Sequence, residues 1–372
     1  MPLSAVDCVQ PALQHTREQL FTRFRWGQWT RLALVGILAA ELHVTSCNFN
    51  SFNFPVPQPR KNSQEFLPSG FPHIDPARLG QFVGLILAVA LLAVVLFFIF
   101  LYISSVFRFI LYDSVLRKHC SIGDGWHRWH GTGRRFFLWQ IVFLIATWLL
   151  LGVLIGIPVA AAAAAGWLHD FEQHAGRLIV GGILLFGLLL LSALAVAVVQ
   201  ILAKDFLVPI MAFEGLDFAD AWSRLLPMVS REKGKFFVYL LLKIVLAIAA
   251  AILFGIVAII PTVGVVIPAV GAVLIGHYSG LGWTPFTVSM AVILGTILVL
   301  ILIYLIALIS VPATVFFPAF SIYFFAGRYA YLSAIVYPAP PPVPAPPAPQ
   351  APPIPESPAE PPPLPPSPEP IG

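Results

Sequence analysis

Long apolar stretches without a single charged side chain dominate the chain from residue 81 onwards. Each is longer than the roughly 20 residues that a helix needs to cross a bilayer. None shows the ten-residue alternation that is typical of outer-membrane strands. The pattern therefore predicts an all-α, polytopic helical membrane protein. The uncharged stretches cover residues 81–107, 136–168, 178–203, 244–275 and 278–327.

We expect about six transmembrane helices. The first is short, carries Glu41 and precedes a loop rich in Pro, Asn and Ser at residues 48–79. Residues 261–287, rich in Gly and with three prolines, are either an apolar outer loop or a re-entrant segment. After Pro312 the chain echoes the exit of the fourth helix, which favours a bend along the inner surface. The six predicted helices are residues 30–48, 81–107, 136–160, 179–203, 236–260 and 288–311.

A short motif occurs twice, with an offset of 96 residues. Each copy opens on a residue type that caps helix N-termini, Ser121 or Asp217, and then places apolar residues at i, i+4 and i+7. Asp124 and Asp220 each stand four residues before an arginine, an order that favours ion pairing within a helix. Both copies lead through a basic-Phe-Phe sequence into an apolar run. This predicts two amphipathic helices in front of spanning helices, and two repeat units at about 81–165 and 179–265.

The positions of the basic residues predict the orientation. Of the 21 Lys and Arg residues, 16 fall on one side of the six predicted helices and four on the other, while Lys243 lies inside the fifth helix. By the positive-inside rule both termini and both copies of the motif face the cytoplasm. The two repeat units are then parallel, and we expect the chain in the cell membrane, which in a bacterium is the inner membrane.

Three regions differ in composition. Residues 1–31 interleave arginines with aromatic residues, as a cytoplasmic amphipathic arm at a membrane surface does. Residues 32–327 form the predicted membrane domain. The predicted tail, residues 328–372, carries 19 prolines in its last 35 residues and is expected to be a disordered cytoplasmic spacer.

The composition of the chain indicates which classes of partner to expect. The chain is 59% hydrophobic and only 10% charged, against about 25% charged in soluble domains. The net charge of +4 reflects basic residues that are best interpreted as topology signals. We therefore expect membrane lipids and possible protein partners in the membrane, and no nucleic acid.

Aromatic and basic residues beside the repeated motif are the candidate membrane-interface residues. Their tryptophans are expected to anchor at the headgroup level, with binding of a ligand ring as the alternative, and their basic neighbours favour anionic lipid. Glu41 and Lys243 are the candidate intramembrane polar residues, unless Glu41 ends its helix and Lys243 extends to the interface. The interface candidates are Trp126, Trp129, Arg134, Arg135, Trp222, Lys233 and Lys235.

Catalytic chemistry has little support in the sequence. His127 and His130 share a helix face near Cys120, but arginines crowd them, and the second copy of the motif has no histidine there. No P-loop, zinc-protease helix or nucleophile elbow occurs. We expect no metal, no cofactor and no catalytic residue.

Two stretches carry a family resemblance: Phe-Arg-Trp-Gly-Gln-Trp at residues 24–29, and residues 205–239 with Pro209 and Asp-Ala-Trp at 220–222. In these the chain resembles bacterial integral membrane proteins labelled as the membrane domain of glycerophosphoryl diester phosphodiesterase, and their uncharacterised relatives. The resemblance implies membrane association. It implies no hydrolysis, because the sequence has nothing to supply the acids and histidines of the catalytic barrel.

Three functions remain open from the sequence. The leading hypothesis is a non-enzymatic membrane organiser or assembly subunit whose paired helices lie on the lipid surface. The second is a transporter of lipid or small solute, with Glu41 as a coupling group. The third is an interfacial membrane enzyme using the region of His127 and His130.

Overall fold

The computed structural model describes residues 4–22, 24–39, 76–167, 171–278 and 284–337. All of them up to Val336 belong to one compact unit. Glu41, most of the loop predicted at 48–79 and the tail from residue 338 lie outside the described residues. Residues 330–336, inside the predicted tail, form a short helix in which Leu332 is buried.

Every regular element in the described part of the chain is helical, which confirms the all-α class. A 3-10 turn precedes the first helix, and two π-helical turns, Glu18–Thr22 and Ala203–Leu207, interrupt the helical path. The α-helices are α1 Val9–Arg17, α2 Trp26–Leu38, α3 Pro76–Leu116, α4 Ile122–Ala164, α5 Phe171–Leu202, α6 Val208–Glu214, α7 Phe218–Arg231, α8 Lys233–Tyr278, α9 Pro285–Ala326 and α10 Ala330–Val336.

Among the described residues, five helical stretches are long and apolar enough to cross a membrane: four are α3, α4, α8 and α9, and the fifth joins α5 to α6. They hold 34 to 44 residues. At 1.5 Å per residue, each is about 50 to 65 Å long, well beyond the roughly 30 Å of a hydrocarbon core. The chain is therefore a helical membrane protein, and part of each long helix extends beyond the hydrocarbon. The first predicted helix appears as α2, which ends at Leu38; the rest of 30–48 beyond residue 39 lies outside the described residues.

The buried side chains form one cluster, which we call the hub. It consists of α1, α2, α6, α7 and α10 together with one end each of α3, α4, α8 and α9 and the π-turn after α5. Aromatic side chains fill it because large rings bury much apolar area. Its largest fully buried members include Phe109, Phe136, Phe206, Tyr239, Phe320, Phe324 and Phe325.

The other ends of the five long helices are open. Their most apolar windows are 0% buried in α3, α4 and the α5–α6 stretch, and 6% buried in α8 and α9. Leu184 and Ile260, for example, are 69% and 75% exposed. Apolar faces of this size require lipid or another protein surface around them.

Both copies of the repeated motif begin helices where the sequence predicts. Ser121 and Asp217 take extended N-cap conformations in front of α4 and α7. The copies then differ, because α4 continues as one helix into its apolar run, whereas a break at Glu232 separates α7 from α8.

The ends predicted for the fifth and sixth helices are wrong. Instead of stopping near residue 260, α8 continues through Pro261 and Pro268 to Tyr278. Likewise α9 continues through Pro312 and Pro318 to Ala326. An internal proline lacks the N–H that would bond the carbonyl four residues earlier. A helix can continue through the proline when a neighbouring group bonds that carbonyl instead.

Candidate functional site

A buried ion pair joins the end of α5 to α8 at the edge of the hub. The Lys243 ammonium lies 2.7 Å from Asp205 Oδ1, and the Tyr239 hydroxyl donates to Asp205 Oδ2 at 2.8 Å. Tyr239 and Lys243 stand four residues apart on one face of α8, and Asp205 sits in the π-turn after α5. Lys243 therefore has a carboxylate partner and does not depend on reaching the interface. Sequence reasoning missed this partner, which lies 38 residues away.

Aromatic rings pack around Tyr239, the hydrogen-bond partner of Asp205 in this pair. The Tyr239 ring stacks on Phe324 and Phe320, with centroids 4.4 and 5.0 Å apart, and Phe206 packs against it at 5.1 Å. The side chains of Lys243 and Asp205 are only 18% and 9% exposed. Charges held this far from water depend on each other, because either one alone would be buried without compensation.

Arg328 connects the end of α9 to the residue between α7 and α8, Glu232. Its Nε donates to Glu232 Oε2 at 2.8 Å, and its guanidinium lies 3.9 Å from the Phe324 ring centroid. Burial raises the pKa of the Glu232 carboxyl, but the bonds and charges of Arg328 and Lys235 outweigh burial and hold that pKa below its ordinary value. Glu232 is thus an anion that ties three helices together.

Glu214 makes a second set of polar contacts between helices. Its carboxylate accepts from the Tyr329 hydroxyl at 2.8 Å and pairs with Arg224 at 2.9 Å. Burial, and then the bond to Glu214, raise the pKa of the Tyr329 hydroxyl, which stays a donor. The contact links α6, α7 and the start of α10.

The N-terminal arm caps the C-terminal end of α3. His15 Nε2 donates to the Val115 carbonyl at 3.0 Å, Gln19 Nε2 donates to the Ser114 carbonyl at 3.1 Å, and Gln28 Nε2 donates to the Lys118 carbonyl at 3.0 Å. The last carbonyls of a helix have no partner within it, so the arm supplies what α3 cannot. Burial lowers the pKa of the His15 imidazole below its ordinary value.

The predicted interface tryptophans turn toward the hub. Trp126 packs beside Phe107, with ring centroids 6.0 Å apart, and Trp129 stacks on Phe109 at 5.9 Å. Trp222 stacks on Phe218 at 5.9 Å. All three tryptophans are half-buried. Their packing role is visible, and their anchoring in headgroups stays a prediction.

The predicted basic residues divide into two kinds. Arg135 connects the two copies of the motif, because it pairs with Asp217 at 3.1 Å and donates to the Gly215 carbonyl at 2.7 Å. Lys235 pairs with Glu232 at 3.4 Å. Arg134 and Lys233 are exposed on α4 and α8. Glu41 lies outside the described residues.

The ion pairs expected within each copy of the motif are replaced by longer-range ones. Arg128 pairs with Asp113 of α3 at 3.5 Å instead of Asp124, and Arg224 pairs with Glu214 instead of Asp220. In both copies the arginine thus holds its helix to the segment before it.

The histidines of the first copy do not gather with Cys120. His127 and His130 are exposed, with His130 Nδ1 3.0 Å from the His127 carbonyl, whereas Cys120 is buried. In the part of the chain that the structure describes, no three His, Cys, Asp or Glu side chains come together as metal ligands.

Comparison with known proteins gives one match. The profile of a family of unknown function, DUF7544, matches residues 3–335, which include the arm, the hub and all five long helices. No curated protein and no solved structure matches the chain.

Proposed function

The chain belongs to the DUF7544 family of unknown function, and we propose that it is a non-enzymatic membrane organiser or assembly subunit. Its five long helices meet in the hub and present apolar faces to lipids and to other membrane proteins. The observation that carries the proposal is the contrast between the packed hub and the 0% to 6% burial of the spanning windows.

The surface of the exposed halves supports an organising role over a transport pathway along those halves. A transport pathway needs polar groups enclosed between spanning helices. The exposed halves instead present leucine, isoleucine and valine outward, as Leu184, Leu191 and Ile256 do. Such surfaces suit association with lipid tails or with apolar helices.

The proposal includes an orientation and a repeat. The hub lies at the cytoplasmic surface, both termini face the cytoplasm, and the two repeat units are parallel, within a total of about six spans. The half-buried Trp126 and Trp222, with Arg134 and Lys233 exposed nearby, support contact of α7 and the start of α4 with anionic headgroups. The resemblance to the phosphodiesterase membrane domain implies membrane association, which the proposal requires.

In-cell photo-cross-linking tests the proposal. A photoreactive residue at Trp148 or Leu184, both more than two-thirds exposed in the apolar halves, should give a cross-linked protein of discrete mass or cross-linked lipid. A photoreactive residue at Ser223, exposed on α7, is the control outside the apolar halves. Discrete protein adducts identify an assembly subunit, and lipid adducts alone identify an organiser. Absence of both would contradict the proposal.

The second candidate is a transporter of lipid or small solute, favoured by the buried Asp205–Lys243 pair between two long helices. A coupling role predicts that Lys243→Gln abolishes solute-dependent proton movement in proteoliposomes while the protein stays folded. A structural role predicts a loss of stability with no effect on flux.

A further inference from the structure

The hub also holds a cavity of about 570 Å³, which lies between the end of α3, the start of α4, and helix α6. This volume lies in the range of small-molecule sites. Polar and apolar side chains both line the cavity. The polar ones, Tyr112, Asp113, Arg117, Arg128 and Trp129, come from the end of α3 and the start of α4, and the apolar ones are Leu116, Ala212, Phe213 and Ile335.

The charge of the cavity is positive. Arg117 Nε and Arg128 Nη1 lie 2.7 and 3.5 Å from the two oxygens of Asp113. One carboxylate thus serves two guanidinium groups. Each guanidinium has five N–H donors, so both keep donors that Asp113 does not occupy. The side chains of Arg117 and Arg128 are 58% and 47% exposed, which leaves them within reach of a ligand.

Two further donors in the wall lack an acceptor. Tyr112 is 5% exposed, and its hydroxyl has no hydrogen-bond partner within the described residues. The Trp129 indole N–H is also covered and without a partner there. Buried polar groups are nearly always hydrogen-bonded, and an indole N–H can only donate. Both atoms are covered by neighbouring side chains, and each could donate to an acceptor oxygen in the cavity once those side chains shift.

We propose that this cavity binds a phosphate group, carried by an anionic lipid headgroup or free in solution. Arginine forks bind phosphate oxygens well. The apolar lining residues, Phe213 among them, suit the glycerol and first acyl carbons of a lipid. This binding site goes beyond the proposed function. The cavity is lined by residues of one chain, so binding there does not require a protein partner.

Titration of the purified full-length protein in neutral detergent tests the site. The probes are short-chain phosphatidylglycerol, short-chain phosphatidylcholine and inorganic phosphate. Wild type should bind phosphatidylglycerol saturably, and Arg117→Gln or Arg128→Gln should weaken binding by about tenfold, the loss expected for one charge-assisted bond. Arg177→Gln, which removes an exposed charge from α5 outside the cavity, is the matched control and should leave binding unchanged.

Tyr112→Phe keeps the test decisive if an arginine variant unfolds. It removes only the hydroxyl, so the ligand-free unfolding temperature should hold or rise, while affinity for the bound probe should fall by about threefold to tenfold. Binding of phosphatidylglycerol alone identifies a lipid headgroup, and equal binding of inorganic phosphate identifies a free anion. The proposal is overturned if neither phosphatidylglycerol nor inorganic phosphate binds, or if Arg177→Gln weakens binding as much as the cavity variants do.

Discussion

The indole of Trp29 donates a hydrogen bond to the carbonyl of Leu308 at 3.0 Å. In a regular helix this carbonyl would accept from the residue four positions later, which here is Pro312 and has no N–H. A proline within α9 thus frees an acceptor, and the N-terminal arm satisfies it. The arm therefore bonds a backbone carbonyl that Pro312 leaves without its usual helical partner.

Trp29→Phe should lower the free energy of unfolding by about 1 to 2 kcal/mol, because the ring stays but its donor is lost. In a Pro312→Ala background, residue 312 regains its N–H and bonds Leu308. The same Trp29→Phe change should then cost clearly less. Thermal or SDS-induced unfolding measures both differences. Equal costs in the two backgrounds would show that Trp29 acts only through packing.

The Asp205–Lys243 pair should be costly to break and less costly to replace. Lys243→Met leaves a buried carboxylate and should destabilise the protein by about 3 to 5 kcal/mol, whereas Lys243→Met with Asp205→Leu should lose less than either single change. Tyr239→Phe removes one bond to Asp205 and should cost about 1 to 3 kcal/mol. Additive costs in the double variant would mean that the two charges do not interact.

Gly133 marks the closest approach of α4 to α3. A Cβ there would lie 2.9 Å from the Val106 Cα and 2.6 Å from its Cγ2, so backbone would have to move. Gly133→Ala should therefore destabilise by about 1 to 3 kcal/mol. Gly131→Ala, two residues earlier with open space around it, should be neutral or stabilising by up to about 1 kcal/mol. The same sign for both changes would contradict this packing.

The stability of the arm should depend on pH. Because burial lowers the pKa of His15 in the folded state, the unfolded chain takes up a proton first as pH falls below about 6.5. Stability from this group is fully present above that pH and is lost as pH falls through the folded-state value. His15→Gln should flatten the unfolding profile between about pH 7 and 5. His130→Gln, which changes an exposed histidine on α4, is the control variant, and an equal flattening in both variants would contradict the role of His15.

Local patterns account for much of the fold. The uncharged runs predict the long helices, and Ser121 and Asp217 predict where α4 and α7 begin, although neither side chain bonds the first turn of its helix. The continuation of α8 through Pro261 and Pro268 is not predictable in this way, because proline normally predicts a helix end.

Long-range partners account for what the sequence does not reveal. Lys243 is identifiable as an intramembrane charge, but its partner Asp205 becomes visible only when α5 and α8 pack together. His15 and Val115 are 100 residues apart, and no local pattern joins them. Arg128 could pair with Asp124 by spacing alone, yet in the folded chain Asp113 lies closer to it.

Accessibility to oxygen tests the central claim most directly. Spin labels at Trp148→Cys, Leu184→Cys and Ile260→Cys, in a chain whose three cysteines are replaced by alanine, would be measured with one protein per lipid nanodisc. Open apolar halves predict high collision rates with oxygen and low rates with a water-soluble nickel chelate, and a label at Ser223→Cys on α7 should show the reverse. Labels shielded from both reagents in the single chain would mean that the long helices pack against one another along their length, and the account would fail.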